Sequence, residues 1–175
     1  MKIIVALTFL ITIIRGEISE HLVKSLPDQP ALTSKWYSGM LNGTHEKQFH
    51  YVFIESTGNS STDPIIIFFD GGPGIAMVGI FAGIGPLLNT GQVPFIANPY
   101  TWNDKSNVMF ISNPSGVGFS YAPKQEDLYN NDNSVSNDLF AVIQNFFRGF
   151  PEYLSNPLYI GGHSYGGIYA PFLAF

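Results

Sequence analysis

The chain has 175 residues, of which 45% are hydrophobic and only 12% charged, a composition that supports a buried core and excludes an intrinsically disordered protein. Its formal net charge is −5 and it contains no run of basic residues, so it lacks the electrostatic signature of a nucleic-acid-binding protein. We therefore expect no nucleic-acid partner. It contains no cysteine, and cysteine usage consequently gives no information about secretion.

Residues 1–16 have the pattern of a secretory signal peptide. Lys2 precedes an almost unbroken apolar run over 3–14. This run is too short to span a bilayer but suits the hydrophobic region of a signal peptide, with Gly16 as the last residue before cleavage. We expect a cleaved signal peptide at 1–16, a mature domain at 17–175 and no stable membrane anchor. The alternatives are a buried strand or an uncleaved anchor.

Two N-x-[ST] sequons, at Asn42 and Asn59, fit a secreted protein, because this motif is the acceptor of N-linked glycans. Asn42 is followed by Gly43, and this dipeptide favours a hairpin turn. The flanking runs at 36–41 and 48–55 support a hairpin, since the second alternates with period two. Asn42 is therefore either a glycan acceptor or only part of a turn.

Three continuous apolar runs follow, at 65–69, 107–112 and 158–161. Continuous rather than alternating hydrophobicity is typical of strands that are buried on both faces, as in a parallel sheet. The three runs therefore predict three parallel strands.

A helix is predicted between the last two strands, because hydrophobic residues recur at helical spacing from Val135 to Phe150. Ser134 is expected to cap its start, and Gly149 and Pro151 to end it. The resulting strand–helix–strand unit is expected to have a right-handed crossover. These elements predict the α/β class.

The segment 162–166 (GHSYG) matches the G-x-S-x-G motif of a nucleophile elbow. It follows the predicted strand at 158–161 and precedes a helix-compatible run at 165–175, which is the context that the motif requires. The glycines permit a sharp, strained turn that lifts Ser164 clear of the sheet. Ser164 is therefore the candidate nucleophile, and a glycine-rich structural turn is the alternative.

A second glycine-rich loop, 71–74 (GGPG), directly follows the strand at 65–69. Hydrolases of this kind build an oxyanion hole from an N–H of such a loop and the N–H of the residue after the nucleophile, here Tyr165. The alternative is a plain turn at the end of a strand. Because both loops follow buried strands in the expected order, we favour the catalytic interpretation.

Four stretches carry a more specific resemblance: FFDGGPG (68–74), NPYTW (98–102) followed by NVMFISNPSGVGFSY (107–121), NFFRGFPEY (145–153) and YIGGHSYGGIYAP (159–171). In residues and in spacing, the chain resembles the serine carboxypeptidase family from about Trp36 to its last residue.

This resemblance implies an α/β-hydrolase fold, with a mostly parallel sheet and flanking helices, and removal of C-terminal residues from peptides through an acyl-enzyme. It implies peptide substrates and a location outside the cell or in a lysosome- or vacuole-like compartment. No metal and no cofactor are expected. By position, Ser164 matches the nucleophile, and Gly72 and Tyr165 match the oxyanion donors.

The remaining members of a catalytic triad are missing from the sequence. Hydrolases of this fold order their triad Ser…Asp/Glu…His, yet no Asp, Glu or His follows Ser164. His163 is its direct neighbour and is poorly placed to act as its base. We therefore expect a chain that is truncated after the elbow, lacks the base and the acid, and is inactive alone.

The family recognises the free carboxylate of its substrate through one Asn and two Glu side chains. The matching positions here are Asp70, Gly83 and His163, and none keeps the family residue. This difference predicts a weakened preference for free C-termini. The alternatives are therefore an esterase, acyltransferase or aminopeptidase variant on the same scaffold, and a non-catalytic secreted remnant.

Overall fold

A computed structural model of the chain describes residues 19–175. Its strands are β1 (Leu22–Val23), β2 (Trp36–Asn42), β3 (Gln48–Ile54), β4 (Ile65–Phe69), β5 (Leu87–Leu88), β6 (Ile96–Ala97), β7 (Asn107–Ile111) and β8 (Leu158–Gly162). Six of them form one sheet in the order β1-β2-β3-β7-β4-β8, while β5 and β6 pair separately. The signal peptide predicted at 1–16 lies outside the described residues.

Two helices, α1 (Asp132–Gly149) and α2 (Gly166–Ala174), pack against the sheet. Across residues 19–175, no helix combines the length and the hydrophobicity that a membrane crossing requires. Together the sheet and the helices confirm the predicted α/β class.

The parallel strands form where the sequence predicts them, with β4 between β7 and β8 and parallel to both. Strands β4 and β7 are almost wholly buried, as their continuous hydrophobicity requires. The prediction of burial is wrong for β8, where Leu158 is 41% exposed and Tyr159 is 60% exposed. In the described part of the chain, β8 pairs with β4 alone, so its outer edge and much of its surface face solvent.

The hairpin of β2 and β3 is confirmed, but its turn lies further along the chain than the sequence predicts. Strand β2 continues through Asn42, and the N–H of Gly43 donates to the carbonyl of Lys47 (2.9 Å), which extends the ladder. His45 and Glu46 form the turn instead, with left-handed φ angles of 51° and 61°.

Helix α1 begins with a capping box rather than with the single cap predicted at Ser134. The side chain of Asn131 accepts a hydrogen bond from the N–H of Ser134 (3.0 Å), and the Ser134 hydroxyl oxygen accepts one from the N–H of Asn131 (2.9 Å). Asn131 is therefore the N-cap and Ser134 completes the box. Gly149 ends the helix as predicted, and Pro151 begins a short 3₁₀ helix.

Helix α1 packs on one face of the sheet through an aromatic cluster. The ring centroid of Phe146 lies 4.9 Å from that of Phe53 in β3 and 4.8 Å from that of Phe150. All three rings are almost completely buried, and aromatic side chains of this size contribute heavily to the stability of a core.

A buried ion pair also joins the hairpin to α1. The Nζ atom of Lys47 lies 2.8 Å from Oδ2 of Asp138, and the two side chains are only 5% and 0% exposed. The Asp138 carboxylate also accepts hydrogen bonds from the N–H (3.0 Å) and from the hydroxyl of Thr44. These partners offset the large cost of removing a carboxylate from water.

The opposite face of the sheet is covered by loops instead of a helix. Ile80, in the 3₁₀ turn Val78–Ile80, and Leu87 pack with Val52 and Phe110 of the sheet in a second apolar cluster. The segment that follows the loop at 71–74 therefore covers this face of the sheet.

Candidate active site

The two glycine-rich loops meet at the carboxyl edge of the sheet. Strands β4 and β8 pair in parallel register as far as Phe69 and Gly162, and the N–H of His163 donates to the carbonyl of Phe69 (3.0 Å). The next residues of the two strands, 70–71 and 163–164, therefore leave the sheet side by side. In open α/β sheets, ligands bind outside the carboxyl ends of the strands.

Ser164 lies at a strained turn between β8 and α2. Its φ angle is 55°, in the left-handed region that residues other than glycine seldom adopt, and the residue is exposed. This strand–turn–helix geometry is that of a nucleophile elbow and confirms the context predicted for 162–166. The catalytic role of Ser164 stays a prediction.

Crowding of the backbone explains two of the elbow glycines. A Cβ atom at Gly166 would lie 2.2 Å from the carbonyl oxygen of Phe69, and one at Gly162 would lie 2.6 Å from the backbone of Gly166. Neither position can hold a side chain, because the obstacle is main chain and not a movable group. At Gly167, by contrast, no atom lies within 4 Å of the same position.

Gly71 is the residue that brings the second loop against the nucleophile. A Cβ atom there would lie 2.6 Å from Cβ and 3.0 Å from Oγ of Ser164. Sequence analysis selected Gly72 and missed this contact. The contact could have been predicted from the parallel pairing of the two strands. The register that aligns Phe69 with Gly162 also aligns Gly71 with Ser164.

The two predicted oxyanion donors flank this contact in sequence. Gly72 has a φ angle of 108°, which a glycine tolerates without steric cost, and it is exposed. Tyr165 directly precedes α2 and has a helical φ of −63°. Within residues 19–175, the backbone N–H groups of Gly72 and Tyr165 donate no hydrogen bond, so both are available to an acceptor.

The side chain of Tyr165 ties the elbow to the first turn of α1. Its hydroxyl donates a hydrogen bond to Oδ1 of Asp132 (2.9 Å), and its ring contacts that of Tyr169 at 5.1 Å. The hydrogen bond to a carboxylate raises the pKa of the Tyr165 phenol. Sequence analysis did not identify Asp132, because its contact with Tyr165 spans two elements distant in sequence.

No general base contacts Ser164 in the part of the chain that the structure describes. The imidazole of His163 is exposed and makes no hydrogen bond to a described residue. The other three histidines contact side chains elsewhere: His21 contacts Tyr51, His45 contacts Asp127 and His50 contacts Ser38. Over the same residues, no group of three or more His, Cys, Asp or Glu side chains is arranged to hold a metal ion.

A family model described as serine carboxypeptidase matches residues 27–175. The chain belongs to the serine carboxypeptidase family. Serine carboxypeptidase-like 34 of Arabidopsis thaliana is 38% identical over 159 residues, covering 87% of this chain and 32% of that protein. The lysosomal protective protein of Mus musculus is 40% identical over 152 residues, covering 85% and 31% respectively.

Solved structures agree with this assignment. A prohormone-processing carboxypeptidase from Saccharomyces cerevisiae matches 90% of this chain with a TM-score of 0.71 and 25% identity, and the match covers 38% of the yeast chain. A putative acyltransferase from Salmonella enterica matches with a TM-score of 0.52 at 13% identity, which shows a shared fold alone. The chain spans about a third of the length of the curated relatives that it matches.

The three positions that the family resemblance assigns to carboxylate recognition, Asp70, Gly83 and His163, lie in three different environments. Oδ2 of Asp70 accepts a hydrogen bond from the N–H of Gly79 (2.9 Å), so this carboxylate is engaged by the loop that follows. His163 lies beside Asp70 by strand register and is exposed. Gly83 has a left-handed φ of 119°, and no atom lies within 4 Å of a Cβ position there.

Both predicted glycan acceptors are exposed. Oδ1 of Asn59 accepts a hydrogen bond from the hydroxyl of Ser61 in its own sequon (2.7 Å). In the other sequon, the hydroxyl of Thr44 donates to the buried Asp138, so the folded protein sequesters the sequon hydroxyl near Asn42. Glycosylation at either position stays a prediction.

Proposed function

We propose that this chain supplies the nucleophile and the oxyanion hole of a secreted serine-type carboxypeptidase that hydrolyses peptides through an acyl-enzyme. The observation that carries the proposal is the left-handed φ of Ser164 at the carboxyl end of β8, in direct contact with the Gly71 loop. Backbone strain of this kind costs stability and is found mainly at functional sites. In a nucleophile elbow it presents the serine hydroxyl to the substrate.

The chemistry follows from this arrangement. Oγ of Ser164 attacks the carbonyl carbon of the scissile bond, and its proton passes to a base. The N–H groups of Gly72 and Tyr165 donate to the oxyanion of the tetrahedral intermediate. The C–N bond then breaks, the amine leaves with the proton, and water hydrolyses the acyl-enzyme. Within these 175 residues no Asp, Glu or His follows Ser164, so the chain itself supplies no base or orienting acid in the order that this fold uses.

Labelling with a fluorophosphonate tests the role of Ser164. A polypeptide of residues 17–175 alone should not react, since a serine without its base loses a factor on the order of 10⁶ in rate. A protein that carries these residues together with the base and the acid should react at Ser164. Absence of reaction in both would favour a non-catalytic secreted remnant.

A second candidate, an esterase, acyltransferase or aminopeptidase on the same scaffold, is favoured by the three altered carboxylate positions. One charge-assisted contact is worth about tenfold to a hundredfold in kcat/KM. Gly83 offers no contact, and an ionised Asp70 repels a nearby carboxylate. His163 stands where the family has a Glu, so it cannot share a proton with the substrate carboxylate as a carboxyl group does.

The test of this specificity compares kcat/KM for a blocked dipeptide acid with the values for its C-terminal ester and amide at about pH 5 and about pH 7. We expect less than about a hundredfold preference for the acid at both pH values. A preference above about a hundredfold at both pH values would mean that other residues bind the carboxylate.

We further propose entry into the secretory pathway, with a final location outside the cell or in a lysosome- or vacuole-like compartment. The apolar run at 3–14 and the two sequons support this proposal. Expression with the native N-terminus in a eukaryotic host should yield a product that begins near Glu17 and carries glycan at Asn42 or Asn59. A cytosolic, unglycosylated product that retains residues 1–16 would contradict it.

A further inference from the structure

The peptide group between Ser164 and Tyr165 carries a proposed oxyanion donor and has little support from its own segment. It follows the strained φ of 55° at Ser164, and it precedes Gly166 and Gly167. Consecutive glycines weaken a helical turn because they leave the backbone more conformational freedom. Among the described residues, no side chain caps this end of α2. The turn supplies part of the constraint itself, since the N–H of Gly167 donates to the Ser164 carbonyl (2.9 Å).

The side chain of Tyr165 adds a constraint from outside the elbow. Its hydroxyl donates to Oδ1 of Asp132 at 2.9 Å. In the part of the chain that the structure describes, this is the one side-chain hydrogen bond that residues 162–166 make. A hydrogen bond to a carboxylate is stronger than one between neutral groups. Asp132 therefore restrains the side chain of the same residue whose N–H is the proposed donor.

Asp132 belongs to a firmly held part of the fold. It is the first residue of α1 and directly follows the N-cap, Asn131, whose capping box fixes the start of the helix. Further along, Phe146 and Phe150 bury α1 against the sheet. A group held from such a helix is positioned more precisely than one held from a loop.

An aromatic contact constrains the ring of Tyr165 as well. Its centroid lies 5.1 Å from that of Tyr169, which is 3% exposed and contacts Phe69 at 6.1 Å. Phe69 ends β4, and its carbonyl accepts the N–H of His163 (3.0 Å). The side chain of Tyr165 is thus connected both to α1 and to the strand from which the loop at 71–74 departs.

The position of an oxyanion donor determines how well it works. Loss of one donor costs about 10²–10³-fold in kcat, and a displacement of about 1 Å at an active site can cost on the order of 10²-fold. The oxyanion forms in the transition state and is absent from the bound substrate. A donor that is less well held therefore lowers kcat and changes KM little.

We propose that Asp132 is a positioning residue of the oxyanion hole, which orients the backbone N–H of Tyr165 by holding the Tyr165 hydroxyl. The inference rests on the proposed hydrolase function and extends it to a residue of α1 that lies 33 positions before Tyr165 in the sequence. Asp132 acts through Tyr165 and not on the substrate.

Steady-state kinetics with a blocked dipeptide ester test the inference. The protein tested carries these residues together with a triad base and acid. Tyr165→Phe and Asp132→Ala each remove the hydrogen bond, and each should lower kcat about tenfold while KM changes by less than about twofold. The double variant should lose no more than either single variant, because both changes remove the same contact. Asp132→Asn keeps an oxygen acceptor and should retain kcat within about threefold.

Ser136→Ala is the matched control. The Ser136 hydroxyl donates to the carbonyl of Phe172 (2.8 Å), so it joins α1 to α2 without contacting Tyr165. This variant should leave kcat and KM unchanged, whatever its effect on Tm.

The outcomes separate the inference from the function on which it rests. Full kcat in Tyr165→Phe, additive losses in the double variant, or an equal loss of kcat in Ser136→Ala would overturn the inference and leave the proposed function intact. A wild-type protein that neither hydrolyses the ester nor reacts with a fluorophosphonate would overturn the proposed function, and the inference with it.

Discussion

The hairpin end of the sheet and the carboxyl end of β4 and β8 use their polar groups in opposite ways. At the hairpin, Asp138 is buried and accepts hydrogen bonds from Lys47 and from both donors of Thr44. At the carboxyl end, Ser164 is exposed and strained, and the N–H groups beside it are unpaired within the described residues. The first region gains stability by satisfying its polar groups, whereas the second leaves backbone donors unpaired among the described residues, as the proposed oxyanion hole requires.

The largest effect on stability should come from breaking the satisfied region. Lys47→Met leaves the Asp138 carboxylate buried without a counter-charge, a change that typically costs about 3–5 kcal/mol. Urea unfolding measures this loss of free energy. The matched control is Lys124→Met, whose partner Glu126 lies 3.9 Å away with both side chains exposed, and which should change stability by about 0.5 kcal/mol or less. An equal loss of unfolding free energy in the two variants would mean that the buried ion pair contributes no more than an exposed one.

A smaller effect should come from crowding the strained region. Gly166→Ala places a methyl group against the carbonyl of Phe69, where the contact distance would be 2.2 Å, and should destabilise the fold by about 1–3 kcal/mol. Gly167→Ala, one residue further in the same helix, meets no atom within 4 Å and should stabilise it by up to about 1 kcal/mol. Thermal unfolding of the two variants would show opposite shifts in Tm. Shifts of the same sign would mean that the elbow is less tightly packed than its geometry indicates.

The smallest effect concerns His50, a half-buried residue of β3. Burial lowers its pKa, so the folded state favours the neutral ring. The unfolded chain therefore binds more protons, and stability that is fully present above about pH 6.5 is lost as the pH falls towards the folded pKa. His50→Gln should lose less free energy of unfolding between pH 7 and pH 5 than the wild type does. An equal loss of free energy in the wild type and the His50→Gln variant would contradict this expectation.

Local sequence patterns predicted much of the fold. Continuous apolar runs identified β4 and β7, and the G-x-S-x-G motif identified the elbow, because each signal lies within a few consecutive residues. The turn of the hairpin was placed too early, since strand pairing continues past Asn42 and His45 adopts the left-handed conformation instead. Hydrogen bonding across the hairpin outweighed the local preference of the Asn-Gly pair.

Local sequence patterns could not predict the contacts between segments that are distant in sequence. The approach of Gly71 to Ser164 depends on the parallel register of β4 and β8. The hydrogen bond of Tyr165 to Asp132 depends on how two helices pack. A sequence shows which residues can perform chemistry, but the packing decides which of them meet.

The most direct test of the account is identification, by mass spectrometry, of the residue that a fluorophosphonate modifies. The protein tested carries these residues together with a triad base and acid, and it is compared with its Ser164→Ala variant. We expect a single modified serine, Ser164, and no modification in the variant. Modification of another serine, or equal labelling of the Ser164→Ala variant, would contradict the claim that the strained elbow presents the nucleophile.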